Sequence, residues 1–318
     1  MWSIILQISP YAIAYTIPLL ITALGGLFSE RSGVVNIGLE GLMVVGSFAG
    51  ALTIFKLQPL MPGSEWVAVW IGIIVAMVVS SLFSMLHAFA SINLNANQVI
   101  SGTAINMIAG ALTVFLARNV TGSGRINIST GLERWDIPLL SNIPIVGDLI
   151  FKQTYASTWF VLAILLLSWL LLYKTAFGLR LRACGEHPHA ADAAGVNVYR
   201  VRYIAVMISG AFAGLGGAAI LVTYSGEFTG NVAGLGFLAL AALIFGQWKP
   251  LGILGATLFF GFASTIANVS QVVPTLAAIP GVILKVFPYV VTLIALIIFS
   301  KSSQAPRAAG EPFDPGKR

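Results

Sequence analysis

Apolar runs recur along almost the whole chain, over about residues 10–28, 33–55, 66–90, 97–118, 156–173, 203–224, 232–247, 250–270 and 279–299, separated by polar breaks. Most approach or exceed the ~20 residues that carry an α-helix across the hydrocarbon of a bilayer. Inside hydrocarbon the backbone must satisfy its own N–H and C=O groups, and a helix does so within one segment. The pattern therefore predicts an all-α, polytopic bundle of about nine spanning segments, eight to ten at the limits, filling residues 1–300.

The polar breaks orient that bundle. Residues 174–202 carry Arg180, Arg182, Arg200 and Arg202, and the tail 301–318 is basic as well. Arginine and lysine beside spanning segments resist translocation, so both stretches are expected in the cytoplasm. An odd number of crossings then puts the N-terminus outside, the turn at 29–33 inside and residues 119–155 outside. That outer region mixes Gly122, Gly124, Gly131, Pro138, Pro144 and Gly147, too irregular for a span and too long for a turn. It reads either as a docking surface for an external partner or as a loop covering helix ends. No basic residue precedes Arg31, and prolines stand at 10 and 18, so the first segment is expected to remain as a helix rather than to be cleaved as a signal peptide.

Composition narrows the class. Of 318 residues, 58% are hydrophobic and 9% charged, against about 25% charged in an average soluble domain. The net charge of +6 sits beside the membrane segments and forms no single stripe, so a lipid bilayer and not a nucleic acid is the expected partner. Cys184 is the only cysteine, which excludes an internal disulfide and implies a reduced, inert thiol. His187 and His189 lie two apart with no cysteine pair nearby, and His87 stands isolated, so no metal site and no cofactor are expected. HExxH and GxSxG are missing, as are paired intramembrane aspartates. The C-terminal GEPFDPGKR has five residues between Gly310 and Gly316 and lacks the Ser or Thr of a phosphate-binding loop. The chain therefore reads as a non-enzyme, and any nucleotide hydrolysis belongs to another chain.

Polar residues inside the apolar runs are the candidates for function. In GVVNIGLEGLMVVG, residues 33–46, Asn36 and Glu40 lie four apart, on one face if the segment is helical throughout. A carboxylate about 10 Å into such a helix must face a cavity or a partner. It either lines a translocation path or is a structural group bonded to backbone amides of a glycine-interrupted helix. Asn93, Asn95, Asn97 and Gln98 enter the fourth segment, followed by Ser101, Thr103 and Asn106. Their amides and hydroxyls can serve a neutral polar solute without the cost of desolvating an ion. Helix capping by Asn97 and bonds between helices are the alternative. Lys285 is expected to snorkel or to pair with an acid. Segments six to eight are glycine-rich, with a GxxxG pair at Gly210 and Gly214; close packing and broken helices lining a path both fit. SGVVNIG (32–38) and TGNVAGLG (229–236) share a glycine-valine spacing and start from opposite faces in this topology, as in an inverted repeat, though the match is short.

After Arg182 the internal stretch reads ACGEHPHAADAAGVNVYRVR. Pro188 suits a first helical turn, the alanines its body and Gly195 its end, which predicts a short helix along the membrane surface. Flanked by arginines, it could serve a cytoplasmic motor as a lever, or be a mere surface helix. His189-Ala190-Ala191 with Gly195 four residues on resembles the EAA-type coupling motif of ATP-binding cassette (ABC) importer permeases, with histidine where glutamate is usual. SERSGVVNIGLEGLMVVGSF (29–48), NQVISGTAINMIA (97–109), GLRLRACGEHPHAADAAGVNVYRVR (178–202) and GLGFLALAALIFGQWKPLGILGATLFFG (234–261) follow the order seen in permeases for ribose, branched-chain amino acids and nucleosides. The stretch from Glu30 to Gly46 resembles the nucleoside-type members most.

The resemblance implies an importer in a bacterial inner membrane, built of this permease and a second, paralogous permease, two ABC ATPase subunits, and an external substrate-binding lipoprotein or periplasmic protein. Nucleosides, as neutral polar solutes, are the expected cargo. Asn36, Glu40, Asn97, Gln98 and Asn106 would border the path, and Glu186, His187, Pro188, His189, Ala190, Ala191 and Gly195 would couple it to the ATPases. The rivals are a proton-coupled secondary transporter titrating Glu40, a channel, and an ABC permease for simple sugars or branched-chain amino acids.

Overall fold

A computed structural model describes residues 2–269 and 304–316, with a few positions between 282 and 294. Helices dominate: α1 (Trp2–Arg31), α2 (Leu39–Leu57), α3 (Glu65–Ala88), α4 (Gln98–Thr121), α5 (Ala156–Lys174), α6 (Ala176–Glu186), α7 (Pro188–Ala193), α8 (Val198–Ile220), α9 (Leu235–Phe245) and α10 (Pro250–Val269). Among the described residues seven helices are long and apolar enough to cross a membrane, namely α1 to α5, α8 and α10, and the chain is a multi-pass membrane protein. The seventh expected segment is the 11-residue helix α9. At 1.5 Å per residue it spans only about 16 Å. Most of the ninth, at 279–299, including Lys285, lies outside the described residues.

α8 is the hub and packs on α1, α2 and α3. With lipid on the outside there is no hydrophobic drive between helices, so contact depends on how closely backbones approach. Two glycine contacts set that approach between α2 and α8. A Cβ on Gly217 would overlap the carbonyl oxygen of Met43, and one on Gly46 would overlap the backbone of Gly214. The Gly210 and Gly214 pair also accepts α3 through Ser80 and Ser84. Serines of α3 then bond to both neighbours: Ser80 Oγ donates to Leu42 O of α2 (2.8 Å), and on α8 Ser81 Oγ donates to Met207 O (3.0 Å) and Ser84 Oγ to Val206 O (3.1 Å).

Two short segments enter the bundle without helical structure. The first, at 32–38, climbs beside α4 before α2 begins at Leu39. This corrects the expectation of a helix from residue 33: Asn36 precedes α2, and it shares no helical face with Glu40. Gly33, at φ +95°, turns the chain where a side chain would be strained. The second segment follows a π-helical turn, Leu221–Ser225, and a strand β2 (Glu227–Phe228) that pairs antiparallel with β1 (Ile126–Asn127). It reaches α9 through Ala233 and Gly234, both at positive φ. α2 ends near the 119–155 region, where Gln58 Nε2 donates to Thr130 O (2.7 Å) and its Oε1 accepts from Ser129 N (2.9 Å). α9 ends at the opposite face, where Trp248 meets Glu30. SGVVNIG and TGNVAGLG thus lead from opposite faces to two helices that start inside the bundle.

The face bearing Arg31 is closed by α6, α7 and the C-terminal tail. Pro188 stands at the first turn of α7, and Gly195 follows its end at φ +82°, as the sequence predicted. α8 starts at Val198, so Arg200 and Arg202 are helical rather than loop residues. Arg202 is 1% exposed, not a flanking surface charge: Nε donates to Ser32 O (3.1 Å) and Nη1 to Glu311 O (3.1 Å). The tail runs back across this face. Ala308 N donates to Gly185 O (2.9 Å), Gly310 N donates to Gly33 O (3.0 Å), and Phe313 is buried against His189 and Tyr199.

Cys184 is fully buried under that closure. Burial pushes its thiol up to about 11, and the Arg202 guanidinium offsets this only in part. At pH 7.5 roughly one thiol in three thousand would be thiolate, against about one in ten for a free cysteine. A maleimide should therefore label the folded protein at least about 100-fold more slowly than the denatured chain, faster as pH rises. Equal rates before and after denaturation would refute this packing.

Candidate functional site

The non-helical segment 32–38 is buried, and its backbone groups cannot turn to water. Side chains from three helices take them up. Gln98 at the start of α4 accepts from Val35 N (2.7 Å) through Oε1. Two turns further along α4, Asn106 accepts from Gly41 N (2.7 Å) and donates to Ile37 O (3.0 Å). Asn36 folds onto its own segment, accepting from Gly38 N (3.1 Å), and donates to Ser209 Oγ of α8 (3.0 Å). The eight residues from Gln98 to Asn106 advance about 12 Å along α4, so the segment reaches well inside the bundle before α2 starts. Asn97 stands apart from this set, because its side chain accepts from Val99 N and Ile100 N and caps α4.

At the inner end of this segment Glu40 faces the first turn of α9. Oε1 accepts from Gly234 N (2.9 Å) and Oε2 from Gly236 N (2.6 Å). A helix leaves its first N–H groups without intrahelical partners, and its dipole concentrates partial positive charge there. Glu40 satisfies those donors on α9 while standing in the first turn of α2, so the head of α9 is held from α2. Gly236 makes the approach feasible, since a Cβ there would meet the Glu40 backbone.

The other end of α9 is held from the same stretch of chain. Glu30 Oε2 accepts from Trp248 Nε1 (2.6 Å), and Arg31 donates to Trp248 O from Nε (3.3 Å) and Nη2 (2.9 Å). Arg31 Nη1 also lies 3.7 Å from Glu186 at the end of α6. Gly185 lets α6 touch Arg31 directly, since a Cβ there would overlap the Arg31 carbonyl oxygen. The coupling candidates divide accordingly. Glu186 meets α1; Pro188 and Ala191 are buried; His189 packs on Phe313 with ring centroids 5.1 Å apart; His187, Ala190 and Gly195 are exposed.

Four contributors were not legible as such. His87, expected to be isolated, is fully buried on α3, with Nε2 3.1 Å from Val35 O and Nδ1 3.0 Å from Ser101 Oγ. A nitrogen facing a carbonyl oxygen must donate, which in a neutral ring leaves Nδ1 to accept from the serine. Arg202, Trp248 and the tail residue Phe313 are the others. The serine at 101 in an apolar run was a usable signal for His87; no local pattern marked the rest. Among the described residues no three His, Cys, Asp or Glu side chains gather closely enough to hold a metal ion.

Comparison with known proteins places this geometry. The chain is 46% identical over 314 residues, 98% of its length and 97% of the relative's, to the guanosine ABC transporter permease protein NupQ of Bacillus subtilis. It is 43% identical over 298 residues, 93% of each chain, to the nucleoside ABC transporter permease protein NupC of Lactococcus lactis. A second Bacillus subtilis guanosine permease, NupP, is similar at 27% over 311 residues, covering 95% of this chain and 80% of its own. The family model described as branched-chain amino acid transport system / permease component matches residues 10–297. By that match over most of its length, and by similarity to two permeases along nearly the whole chain, the chain belongs to the branched-chain amino acid transport system permease family.

Proposed function

We propose that the chain is one of two different permeases in an ABC importer for nucleosides, working with two ATPase subunits and an external substrate-binding protein. The observation that carries the cargo is the similarity to NupQ and NupC, 46% and 43% identical, along nearly the whole chain. The similarity of this chain to both NupQ and NupP of one organism supports a pair of unlike permeases. Charge supports the orientation: Arg31, Lys174, Arg180, Arg182, Arg200, Arg202, Lys249 and Arg307 cluster at one end of the bundle, which the positive-inside rule assigns to the cytoplasm. α1 ends there, so its start at Trp2 faces outside. Residues 1–300 form the permease body, with 119–155 its external loop, 174–202 its coupling region and 301–318 its cytoplasmic tail.

In this reading the ATPases act on the α6–α7 hairpin. Its movement reaches the 30–40 segment through Glu186–Arg31 and the Gly185 contact, and that segment holds both ends of α9. Asn36, Glu40, Gln98 and Asn106 border the path and act by holding backbone. Both oxygens of Glu40 are occupied by backbone amides, which favours this role over that of a proton carrier.

Cells expressing the full transporter in a strain without other nucleoside uptake should accumulate labelled guanosine or uridine against a gradient. ATP depletion should abolish this and collapse of the pH gradient should spare it; the opposite pattern would establish a proton-coupled carrier. In the same cells Glu40→Gln keeps one acceptor and should lower the maximal rate roughly tenfold, about the worth of one charge-assisted bond, with the complex still assembled. Unchanged uptake would end the assignment of Glu40 as the group that holds α9.

Gly195 has open space around it and a left-handed backbone, so Gly195→Trp alters the exposed end of α7 and strains its turn. ATP hydrolysis should continue while nucleoside uptake falls severalfold, raising the ATP consumed per solute. An unchanged ratio would remove the hairpin from the coupling route.

A further inference from the structure

Above α9, on the side away from Arg31, lies a cavity of about 480 Å³ between α1, the π-helical turn after α8, the lead-in to α9 and α10. This is within the ~300–1,000 Å³ of small-molecule sites. Its lining combines two kinds of surface. Tyr15 and Tyr224 form a ring pair with centroids 4.5 Å apart and planes tilted by 33°. Asn231, Ser225, Ser264 and Asn268 supply amides and hydroxyls, and among the described residues none that lines it is charged. The Tyr224 hydroxyl is buried and without a hydrogen-bond partner. Asn231 uses its oxygen to accept from Ala233 N (2.7 Å) and keeps its NH₂ for another acceptor.

We propose that this cavity is the permease's own nucleoside-binding site, an inference that rests on the nucleoside-importer reading above. A planar base extends the Tyr15–Tyr224 stack, since ring faces attract through offset contact. Its polar edge meets Asn268 and Asn231, whose amides offer both donor and acceptor. The sugar hydroxyls meet Ser225 and Ser264, and the Tyr224 hydroxyl gains the partner it lacks. The uncharged lining selects nucleosides over nucleotides, because a phosphate would enter with no compensating cation. Position adds a consequence. Val232, Ala233 and Leu235 form one wall and continue directly into the amides held by Glu40, so an occupied site bears on the same lead-in that the carboxylate secures from below.

The test uses the assembled transporter in proteoliposomes, with Ser225→Cys as a reporter and a small methanethiosulfonate as probe. Guanosine or uridine in the millimolar range should slow labelling at least about fivefold, and guanosine monophosphate should not. Tyr224→Phe, which removes only the hydroxyl, should raise the guanosine concentration needed for protection about five- to tenfold. A reporter that no nucleoside protects, that never reacts, or that nucleotides protect equally overturns the site. Uptake of guanosine by the wild-type vesicles is measured alongside: uptake without protection refutes the cavity alone, whereas absence of uptake refutes the nucleoside reading itself.

Discussion

The carboxylate of Glu40 on the first turn of α9 is the contact on which the arrangement depends. Two helices begin inside the bundle, where water cannot serve their unpaired N–H groups, and lipid offers nothing. The Glu40 carboxylate answers those of α9 by bonding Gly234 and Gly236, while Asn106 accepts from Gly41 N at the head of α2. Burying a lone carboxylate would be costly, and burying the orphan head of α9 would be costly too. Together they become mutually satisfying, so the charge and the broken helices explain each other.

The same stretch of chain carries the grip to the far end of α9. Glu30 and Arg31 hold Trp248, and the residues between them and Glu40 are fastened to α3, α4 and α8 by His87, Gln98, Asn106 and Ser209. α6 and the tail lean on its outer edge through Gly185, Gly33 and Arg202. α9, about half the length of its neighbours, is thereby tied at both ends to one element, and the cavity above it shares its lead-in. A force arriving at the α6–α7 hairpin has a continuous route of backbone contacts and hydrogen bonds to that cavity.

Much of the bundle was legible in the sequence because spanning a bilayer imposes length and apolarity on each segment separately. The polarity of Asn36, Glu40, Gln98 and Asn106 was equally visible, since polar groups in apolar runs demand partners. Their geometry was not. GVVNIGLEG reads as one helix by local pattern, and the side chains that satisfy its unwound backbone, His87, Gln98, Asn106 and Arg202, come from more than 45 residues on. Arg202 read as a flanking surface charge because its acceptors, Ser32 O and Glu311 O, are backbone atoms distant in sequence. The grip on Trp248 and the return of Phe313 were hidden for the same reason: nothing local marks a contact made across the bundle.

Hydrogen exchange at the head of α9 tests the central contact most directly. In the transporter held in lipid nanodiscs, the amides of Gly234 and Gly236 should exchange slowly in the wild type and at least about tenfold faster in Glu40→Ala, with α10 unaffected. Equal exchange at those two amides in both proteins would show that something other than Glu40 holds α9, and the account built on that contact would fail.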